Sequence, residues 1–431
     1  MKIKTTVAAL SAAVTVAGTL ALASTSAQAA ECKHKIGAVL SLTGSYGAYG
    51  VPISKAAQMG VEQVNAARMA ASVGCDLAYD VRDSQTQASV AVDAARKMID
   101  LEGVTAMVGP ISSGITAPLL SSVTVEKNVI LIATASTSST FTEMGRQGKT
   151  KGLFFRTLPA DSLQAVATAK LAWDVGYRNP AIIYLNNDWG KHNQAEFKRA
   201  FAALGGKIAA AVAFNADQPS YRSEINKALK GNPDSLYLVS QPQDGTKQIR
   251  EWIKFEGPSK YVFPQGMNDT KLVNTIGPDL LKDGWFMSPG QPDTPSITTM
   301  EADYQKRFDL SPKGPGRNSG YDSGVLLGLA MVLSDIQGKD IKGGTLAAHV
   351  RAITGSTGEK VYAGVAGLTK AINLLKAGKK IQYVGATGPI NFDEYGDVAQ
   401  PFVGMKFKGG DFSNEMAISL DDVAKVKAMI K

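Results

Sequence analysis

Short apolar runs alternate with amphipathic segments along most of the chain. Strands of a parallel sheet that are buried on both faces show such continuous apolar runs. Four of these runs lie in the first third of the chain, at residues 36–40, 77–81, 104–108 and 129–132. The segments between them have helical periodicity, as at 52–65 and 87–101. Four strand–helix units in succession predict a doubly wound parallel sheet.

A second series of the same kind follows the extended segment 154–157. Its helices are predicted at 161–173, from the end of a polar loop at 186–190 to about 204, and at 221–229 and 245–255. Its strands are predicted at 181–185, 208–212, 235–239 and 261–263. Two series of about equal length predict two α/β lobes, each with its own sheet. After a proline-rich link beyond residue 285, helices are predicted at 300–308, 320–336, 343–353 and 368–377. Residues 390–393 and 402–408 are predicted to form a hairpin.

Two polar clusters stand directly after predicted strands. Ser112 and Ser113 follow the third apolar run and open a helix, and the hydroxyl residues 136–138 follow the fourth. Ligands of open α/β sheets bind beyond the carboxyl ends of the strands, and a helix start favours an anion such as a carboxylate or phosphate. Simple capping of the helix by Ser112 is the alternative explanation.

The first 29 residues have the pattern of a secretory signal peptide. Lys2 and Lys4 precede an apolar stretch, and Ala27-Gln28-Ala29 supplies a small-x-small cleavage pattern. We expect cleavage near Ala29 and export to an oxidising compartment, with an uncleaved membrane anchor as the alternative. Glu31 before Cys32 disfavours lipid attachment, since lipoprotein signals need a small residue there.

The two cysteines, Cys32 and Cys75, are predicted to pair in an oxidising compartment, with two free buried thiols as the alternative. Two cysteines and three scattered histidines do not suit a zinc cluster, so we expect no metal site. We predict no cofactor either.

Composition indicates an ordered chain with a dispersed positive charge. Charged residues are 19% and apolar residues 44%, which excludes wholesale disorder. Loss of residues 1–29 removes Lys2 and Lys4 and no acid, so the formal charge falls from +8 to +6. Lys and Arg are spread singly rather than in a basic stripe, so nucleic acid is not a predicted partner.

Several segments together resemble one known family. IGAVLSLTGSYGAYG, AMVGPISSGITAP, LIATAST, FFRTLPAD, AIIYLNNDWG and TGPINFDEYGD occur in order across nearly the whole chain after residue 30. They are similar to segments of the periplasmic solute-binding proteins of ABC importers, in the leucine/isoleucine/valine-binding family. This resemblance implies a type I fold, in which two doubly wound α/β lobes are joined by three crossover segments. Ligand is then held in the cleft and enclosed by hinge closure.

The resemblance also implies domain bounds and partners. Lobe 1 is expected to comprise residues 30–156 plus about 287–388, and lobe 2 residues 157–286 plus about 389–431. Hinges are expected near Thr157, Pro289 and Ile390. The implied partners are a small ligand and an inner-membrane ABC permease, and we expect a monomer.

Matching the family's motifs places the predicted binding site. Ser113, Ser136 and Thr137, with Ser112 beside them, match the groups that hold a ligand carboxylate. Tyr49 and Trp189 match aromatic positions at the cleft, with ordinary packing as the alternative. The full predicted set is Tyr49, Ser112, Ser113, Ser136, Thr137, Trp189, Gln241, Gln265 and Asp269.

One position departs from the family pattern. Amino-acid binders of the family carry an acid for the ligand ammonium where this chain has Gln265, unless the short match is shifted by one residue. An enclosed ammonium without a counter-charge is unfavourable by several kcal/mol, on the order of the loss that ruins micromolar affinity. Either Asp269 or Asp188 replaces the acid, or the ligand has no ammonium. We therefore expect an aromatic or aliphatic acid ahead of a branched-chain amino acid, with a neutral amide or urea-type solute as an alternative.

Catalysis is not expected. The glycines at 44, 47 and 50 lack the dinucleotide-binding spacing, and residues 320–324 lack that of a nucleophile elbow. A periplasmic sensor with the same cleft is the other alternative to a transport protein.

Overall fold

The predicted strands of the first third form one parallel sheet. The computed structural model describes residues 32–290 and 293–430. Its first strands are β1 (Lys33–Leu40), β2 (Asp76–Asp83), β3 (Ala106–Val108), β4 (Ile130–Ala133) and β5 (Phe154–Arg156). They pair in parallel in the order β2-β1-β3-β4-β5. The connecting helices are α1 (Gly47–Ala70), α2 (Ala88–Asp100), α3 (Ser113–Leu119) and α4 (Thr140–Arg146), with a π-helical turn at Leu120–Thr124.

The second series forms a larger, mixed sheet. Its strands are β6 (Pro180–Leu185), β7 (Ala210–Phe214), β8 (Ser235–Val239), β9 (Tyr261–Phe263) and β10 (Trp285–Pro289). Its helices are α5 (Asp161–Asp174), α6 (Asp188–Ala203), α7 (Arg222–Leu229), α8 (Pro242–Lys254) and α9 (Thr270–Ile276), with 3-10 turns at Gln265–Met267 and Pro278–Leu281. These five strands are parallel in the order β10-β9-β8-β6-β7.

The rest of the chain completes both bodies. The helices that follow are α10 (Pro295–Phe308), α11 (Arg317–Gln337), α12 (Gly343–Thr354) and α13 (Val365–Lys376). The small sheet beside them contains β11 (Glu359–Val361), β12 (Ile381–Gly385) and β13 (Gly388–Pro389). The chain then forms β14 (Phe402–Lys408), β15 (Asp411–Ile418) and α14 (Leu420–Met429). β14 pairs antiparallel with β10 and β15, which makes the second sheet seven-stranded.

Each sheet has its own hydrophobic core. The larger core of the five-stranded sheet contains buried residues from 36–155 and 300–398, whereas that of the seven-stranded sheet draws on 165–287 and 402–426. We call the body around the first sheet lobe 1 and that around the second lobe 2. The predicted α/β architecture is therefore confirmed.

The predicted hairpin between 390–393 and 402–408 is wrong. Asp393 instead forms a tight turn, in which its Oδ1 accepts hydrogen bonds from the backbone N–H groups of Tyr395 and Asp397, both at 2.9 Å. The hairpin partner of β14 is β15, which the hydrophobic pattern did not mark because its exposed and half-buried residues do not alternate clearly.

Both cysteines, Cys32 and Cys75, are disulfide-bonded, as predicted. The predicted signal peptide lies outside the described residues. Among the described helices, none combines the length and apolar character that a membrane span needs.

Candidate functional site

A cavity lies between the two lobes, beyond the carboxyl ends of strands from both sheets. Lobe 1 contributes the loops after β1, β3 and β4, and lobe 2 those after β6, β8 and β9. The segment after β5, which leads from lobe 1 into α5 of lobe 2, also lines the cavity. The space between the lining atoms is about 560 Å³, part of it open to solvent. Its lining residues are Tyr46, Tyr49, Ile53, Ile111, Ser112, Ser113, Ala135, Thr137, Leu158, Gln164, Trp189, Gln241, Gln265, Gly266, Pro315 and Gly316.

Seven of the nine predicted binding residues line this cavity. They are Tyr49, Ser112, Ser113, Thr137, Trp189, Gln241 and Gln265. The two that do not are Ser136 and Asp269, and each makes other contacts.

The two aromatic residues are positioned by the glycine that follows each of them. A Cβ on Gly50 would lie 1.7 Å from the carbonyl oxygen of Ser41, and one on Gly190 would lie 2.0 Å from that of Leu185. Only glycine allows each helix to start this close to the end of the preceding strand. Tyr49 and Trp189 are thereby brought to the two sides of the cavity.

Hydroxyl groups of lobe 1 form a cluster on one wall. Ser113 Oγ accepts a hydrogen bond from the backbone N–H of Ser138 at 3.2 Å, which leaves its own proton free to donate. Ser112 precedes α3, but its side chain makes no capping hydrogen bond, so capping does not explain this residue. The first N–H groups of a helix have no partner within it. The wall thus offers hydrogen-bond donors without a cation.

Ser136 does not line the cavity but links two of the loops that form this wall. It is 1% exposed, and its Oγ lies within hydrogen-bonding distance of the Ile111 carbonyl oxygen at 3.1 Å and of Thr116 Oγ1 at 2.6 Å. Its hydroxyl therefore joins the loop after β4 to the loop after β3.

A buried arginine fixes the carbonyl groups on both sides of Thr137. Arg156 donates from Nη1 to the carbonyl oxygens of Ser136 at 3.1 Å and Ser138 at 2.8 Å. Its Nε donates to Asp397 Oδ1 at 2.6 Å, and the arginine side chain is fully buried. The binding loop therefore depends on an ion pair between β5 and the distant segment near 397. Arg156 stands in the FFRTLPAD motif, but the motif alone did not indicate this role.

Two lining residues, Tyr46 and Gln164, were also missed. Burial raises the pKa of Tyr46 to about 12 and that of Tyr49 well above 10, so both phenols stay protonated at neutral pH. Tyr46 lies in a glycine-rich loop and Gln164 one turn into α5, where neither has a distinctive pattern.

The two acids proposed to replace the missing carboxylate face other partners. Asp269 caps α9, where its Oδ1 accepts from the Leu272 N–H at 2.7 Å. Asp188 Oδ1 accepts from Thr140 Oγ1 at 3.0 Å and lies 3.3 Å from His192 Nδ1. Neither residue lines the cavity.

A third acid lies behind the cavity wall. Asp161 is fully buried beside Thr137, and its Oδ1 accepts from Asn193 Nδ2 at 3.1 Å. Burial raises the pKa of this carboxyl group to about 7, although the nearby Thr137 hydroxyl acts in the opposite direction. The residues that line the cavity among those described include no Asp, Glu, Lys or Arg. The wall itself is neutral.

Direct hydrogen bonds join the lobes around the cavity. The Tyr49 hydroxyl donates to the Gly266 carbonyl oxygen at 2.8 Å. On another side, the lobe 1 hydroxyl of Thr140 contacts Asp188, and that of Ser138 lies 3.2 Å from His192 Nδ1. These bonds describe a closed arrangement of the two lobes.

Comparison with known proteins identifies the family. A family model described as periplasmic binding protein matches residues 33–411. The chain belongs to this family. The predicted type I fold and leucine/isoleucine/valine-binding family are confirmed by relatives and structures of the same kind.

Individual relatives of this periplasmic binding protein differ in what they are said to do. This chain is 25% identical over 364 residues to a chemotactic signal transduction system substrate-binding protein of Halobacterium salinarum. That alignment covers 83% of this chain and 82% of the relative. The leucine-binding protein LivK of Thermotoga maritima has a TM-score of 0.74 at 20% identity, covering 90% of this chain and 99% of LivK. A solute-binding protein of R. palustris in complex with benzoate has a TM-score of 0.70 at 17% identity, covering 89% and 96%.

Replacing Tyr49 with phenylalanine should weaken ligand binding by roughly three- to tenfold, the value of one net hydrogen bond. The change removes a bond that exists only when the lobes are closed, so the dissociation rate should rise more than the association rate falls. Stopped-flow fluorescence would measure both rates. Tyr304→Phe is the matched control, because its hydroxyl donates to the Pro52 carbonyl oxygen within lobe 1. Equal effects of the two variants would contradict the closure role.

His192 should stabilise the folded protein in a pH-dependent way. The hydrogen bond with Asp188 raises the pKa of His192 from 6.5 to about 9. The stabilisation is therefore complete below pH 6.5, declines as pH rises and is lost above about pH 9. Because the pair is partly exposed, His192→Gln should lower the melting temperature by only roughly 2 °C at pH 6. Scanning calorimetry at pH 6, 7.5 and 10 would measure this, and a difference that stays constant with pH would refute it.

Proposed function

We propose that this periplasmic binding protein captures a small carboxylic acid that has no ammonium group. The observation that carries the proposal is a cavity wall that offers hydroxyl and amide donors but no charged side chain. A carboxylate can be held by several neutral donors, because hydrogen bonds to an ionised acceptor are stronger than neutral ones. Ser112, Ser113 and Thr137 are the proposed carboxylate ligands, with the first N–H groups of α3.

The same wall disfavours an amino acid. An ammonium enclosed between Gln164, Gln241 and Gln265 would have carboxamide oxygens as acceptors but no anion in contact with it. Asp161 is an alternative counter-charge, since it lies beside Thr137. Burial raises its pKa to about 7, so its surroundings partly oppose the anionic form that an ammonium needs.

The apolar part of the cavity suits an aromatic or branched aliphatic body. Tyr46, Tyr49 and Trp189 supply aromatic surfaces, and Ile53, Ile111 and Leu158 supply aliphatic ones. Aromatic faces add stacking energy to simple burial when the ligand carries a ring. The R. palustris neighbour that binds benzoate gives this ligand class a precedent on the same fold.

Delivery to an inner-membrane ABC permease from the periplasm is the proposed physiological role. The proposed lobes, residues 30–156 with about 287–388 and residues 157–286 with about 389–431, would close over the ligand by hinge motion. Ligand must then bind the closed form more tightly than the open one. The chemotactic relative supports a second candidate, a sensor that presents the same closed form to a receptor.

Isothermal titration calorimetry of protein refolded free of co-purified ligand would test the ligand class. Benzoate and a branched aliphatic acid such as 4-methylpentanoate should bind more tightly than leucine, which has the same carbon skeleton as the latter plus the ammonium. Tight leucine binding with weak binding of both acids would overturn the proposal. Mass spectrometry of whatever small molecule co-purifies provides an independent readout.

A further inference from the structure

The cavity wall contributed by lobe 2 carries three glutamine side chains, Gln164, Gln241 and Gln265. Gln164 and Gln241 are 2% and 5% exposed. Gln164 Nε2 donates to Gln265 Oε1 at 3.5 Å, so these two carboxamides partly satisfy each other. Gln241 is not part of that pair.

The side-chain oxygen of Gln241, Oε1, is buried and has no hydrogen-bond partner among the described residues, whereas the backbone carbonyl oxygen accepts from the Gly245 N–H at 2.7 Å. The Tyr46 hydroxyl lies close to the Gln241 side chain, but it makes no hydrogen bond of normal geometry to Oε1. Gln241 precedes α8, yet its side chain does not cap that helix either. A buried acceptor that is left unpaired is unfavourable, so its presence in the wall of a binding cavity points to a missing donor.

The position of this carboxamide is restricted by its neighbours. Gly266 lies so close that a Cβ there would be 3.3 Å from Gln241 Nε2 and 3.6 Å from the Trp189 ring. The Gly266 carbonyl oxygen is itself bound by Tyr49 when the lobes are closed. Closure therefore fixes the backbone against which the Gln241 amide packs.

We propose that Gln241 selects ligands that carry a neutral hydrogen-bond donor, such as a hydroxyl or primary amide group, in addition to the carboxylate. This inference rests on the proposed function and narrows its ligand class to hydroxylated or amide-bearing acids. A donor on the ligand pairs the Gln241 oxygen, whereas an analogue that lacks the donor leaves the oxygen buried and unpaired. Sites built in this way discriminate more strongly than apolar pockets do.

Calorimetry with benzoate and the three monohydroxybenzoates would test this selection. The isomer whose hydroxyl reaches Gln241 should bind wild-type protein about tenfold or more tightly than benzoate does. In Gln241→Leu that ratio should fall to about one, because the hydroxybenzoate loses its acceptor and benzoate no longer leaves an oxygen buried and unpaired. Gln243→Leu is the matched control, because Gln243 lies two residues further along, in α8, but is exposed and contacts Asp217 instead. This control should keep the wild-type ratio.

The outcomes separate this inference from the proposed function. If benzoate binds tightly and none of the three hydroxybenzoates binds more tightly than benzoate does, selection by Gln241 is overturned. The carboxylate proposal would be unaffected by that result. A hydroxyl preference that survives in Gln241→Leu would likewise overturn selection by Gln241. If wild-type protein binds leucine and none of the four acids, the proposed function fails first. Circular dichroism and melting temperatures would show whether Gln241→Leu is folded, and a hydroxyl preference lost in a folded variant supports the inference.

Discussion

Asp397→Ala should destabilise the protein by about 3–5 kcal/mol and greatly weaken ligand binding. The substitution leaves Arg156 fully buried without its anionic partner. Arg156 also donates to the carbonyl groups of Ser136 and Ser138, so its displacement would move the loop that presents Thr137 to the cavity. Urea denaturation followed by circular dichroism would measure the loss of stability, and calorimetry with benzoate or leucine, whichever the wild type binds, the loss of affinity.

A double variant distinguishes lost stability from lost geometry. Arg156→Met with Asp397→Leu removes both charges, and apolar replacement of a buried ion pair is often neutral or stabilising. We expect this variant to recover much of the stability lost in Asp397→Ala. Its ligand affinity should stay low, because Ser136 and Ser138 no longer have the guanidinium that holds their carbonyl groups. Wild-type affinity in the double variant would show that the ion pair does not position the loop.

The dependence of the loop on residue 397 illustrates what the sequence could not reveal. The parallel strands were predictable because each is a short apolar run, buried on both faces, that ends in a polar loop. Elements with weak patterns were not, among them the seven-residue α9 and the short strands β11 to β13. The pairing of β14 with β15 rather than with 390–393 is set by a turn at Asp393, which hydrophobic periodicity does not report.

The position of the binding site was predictable because the carboxyl ends of the parallel strands were predictable. The loops after β1, β3, β4, β6, β8 and β9 meet at one cavity because parallel strands end on the same edge of their sheet. The direction of each side chain was not predictable from strand ends. Ser136 and Thr137 are adjacent and both carry hydroxyls, yet Thr137 lines the cavity and Ser136 bonds to the neighbouring loop. Asp161 escaped notice because only the tertiary structure shows that it is buried beside Thr137.

Gln265→Glu should reverse the ligand preference of the site. A carboxylate at this position would repel the carboxylate of benzoate across a small cavity, and we expect its affinity to fall by roughly tenfold or more. The affinity for leucine should rise by about 10- to 100-fold, because the leucine ammonium would acquire a charged hydrogen-bond acceptor. Calorimetry of both ligands against the variant and the wild type would measure the change. Gln265→Met, which is similar in size and uncharged, should produce no gain for leucine.

The result also decides whether Asp161 can act as the counter-charge. If wild-type protein already binds leucine tightly and Gln265→Glu adds nothing, the ammonium must be neutralised elsewhere, and Asp161 is the buried acid beside Thr137. Asp161→Asn would then abolish leucine binding while it left benzoate binding nearly unchanged. If instead Gln265→Glu binds leucine more tightly than the wild type does, Asp161 does not serve as a counter-charge in the wild type. The neutral side chain at 265 then accounts for the selection against amino acids, since one added charge at that position suffices to reverse it.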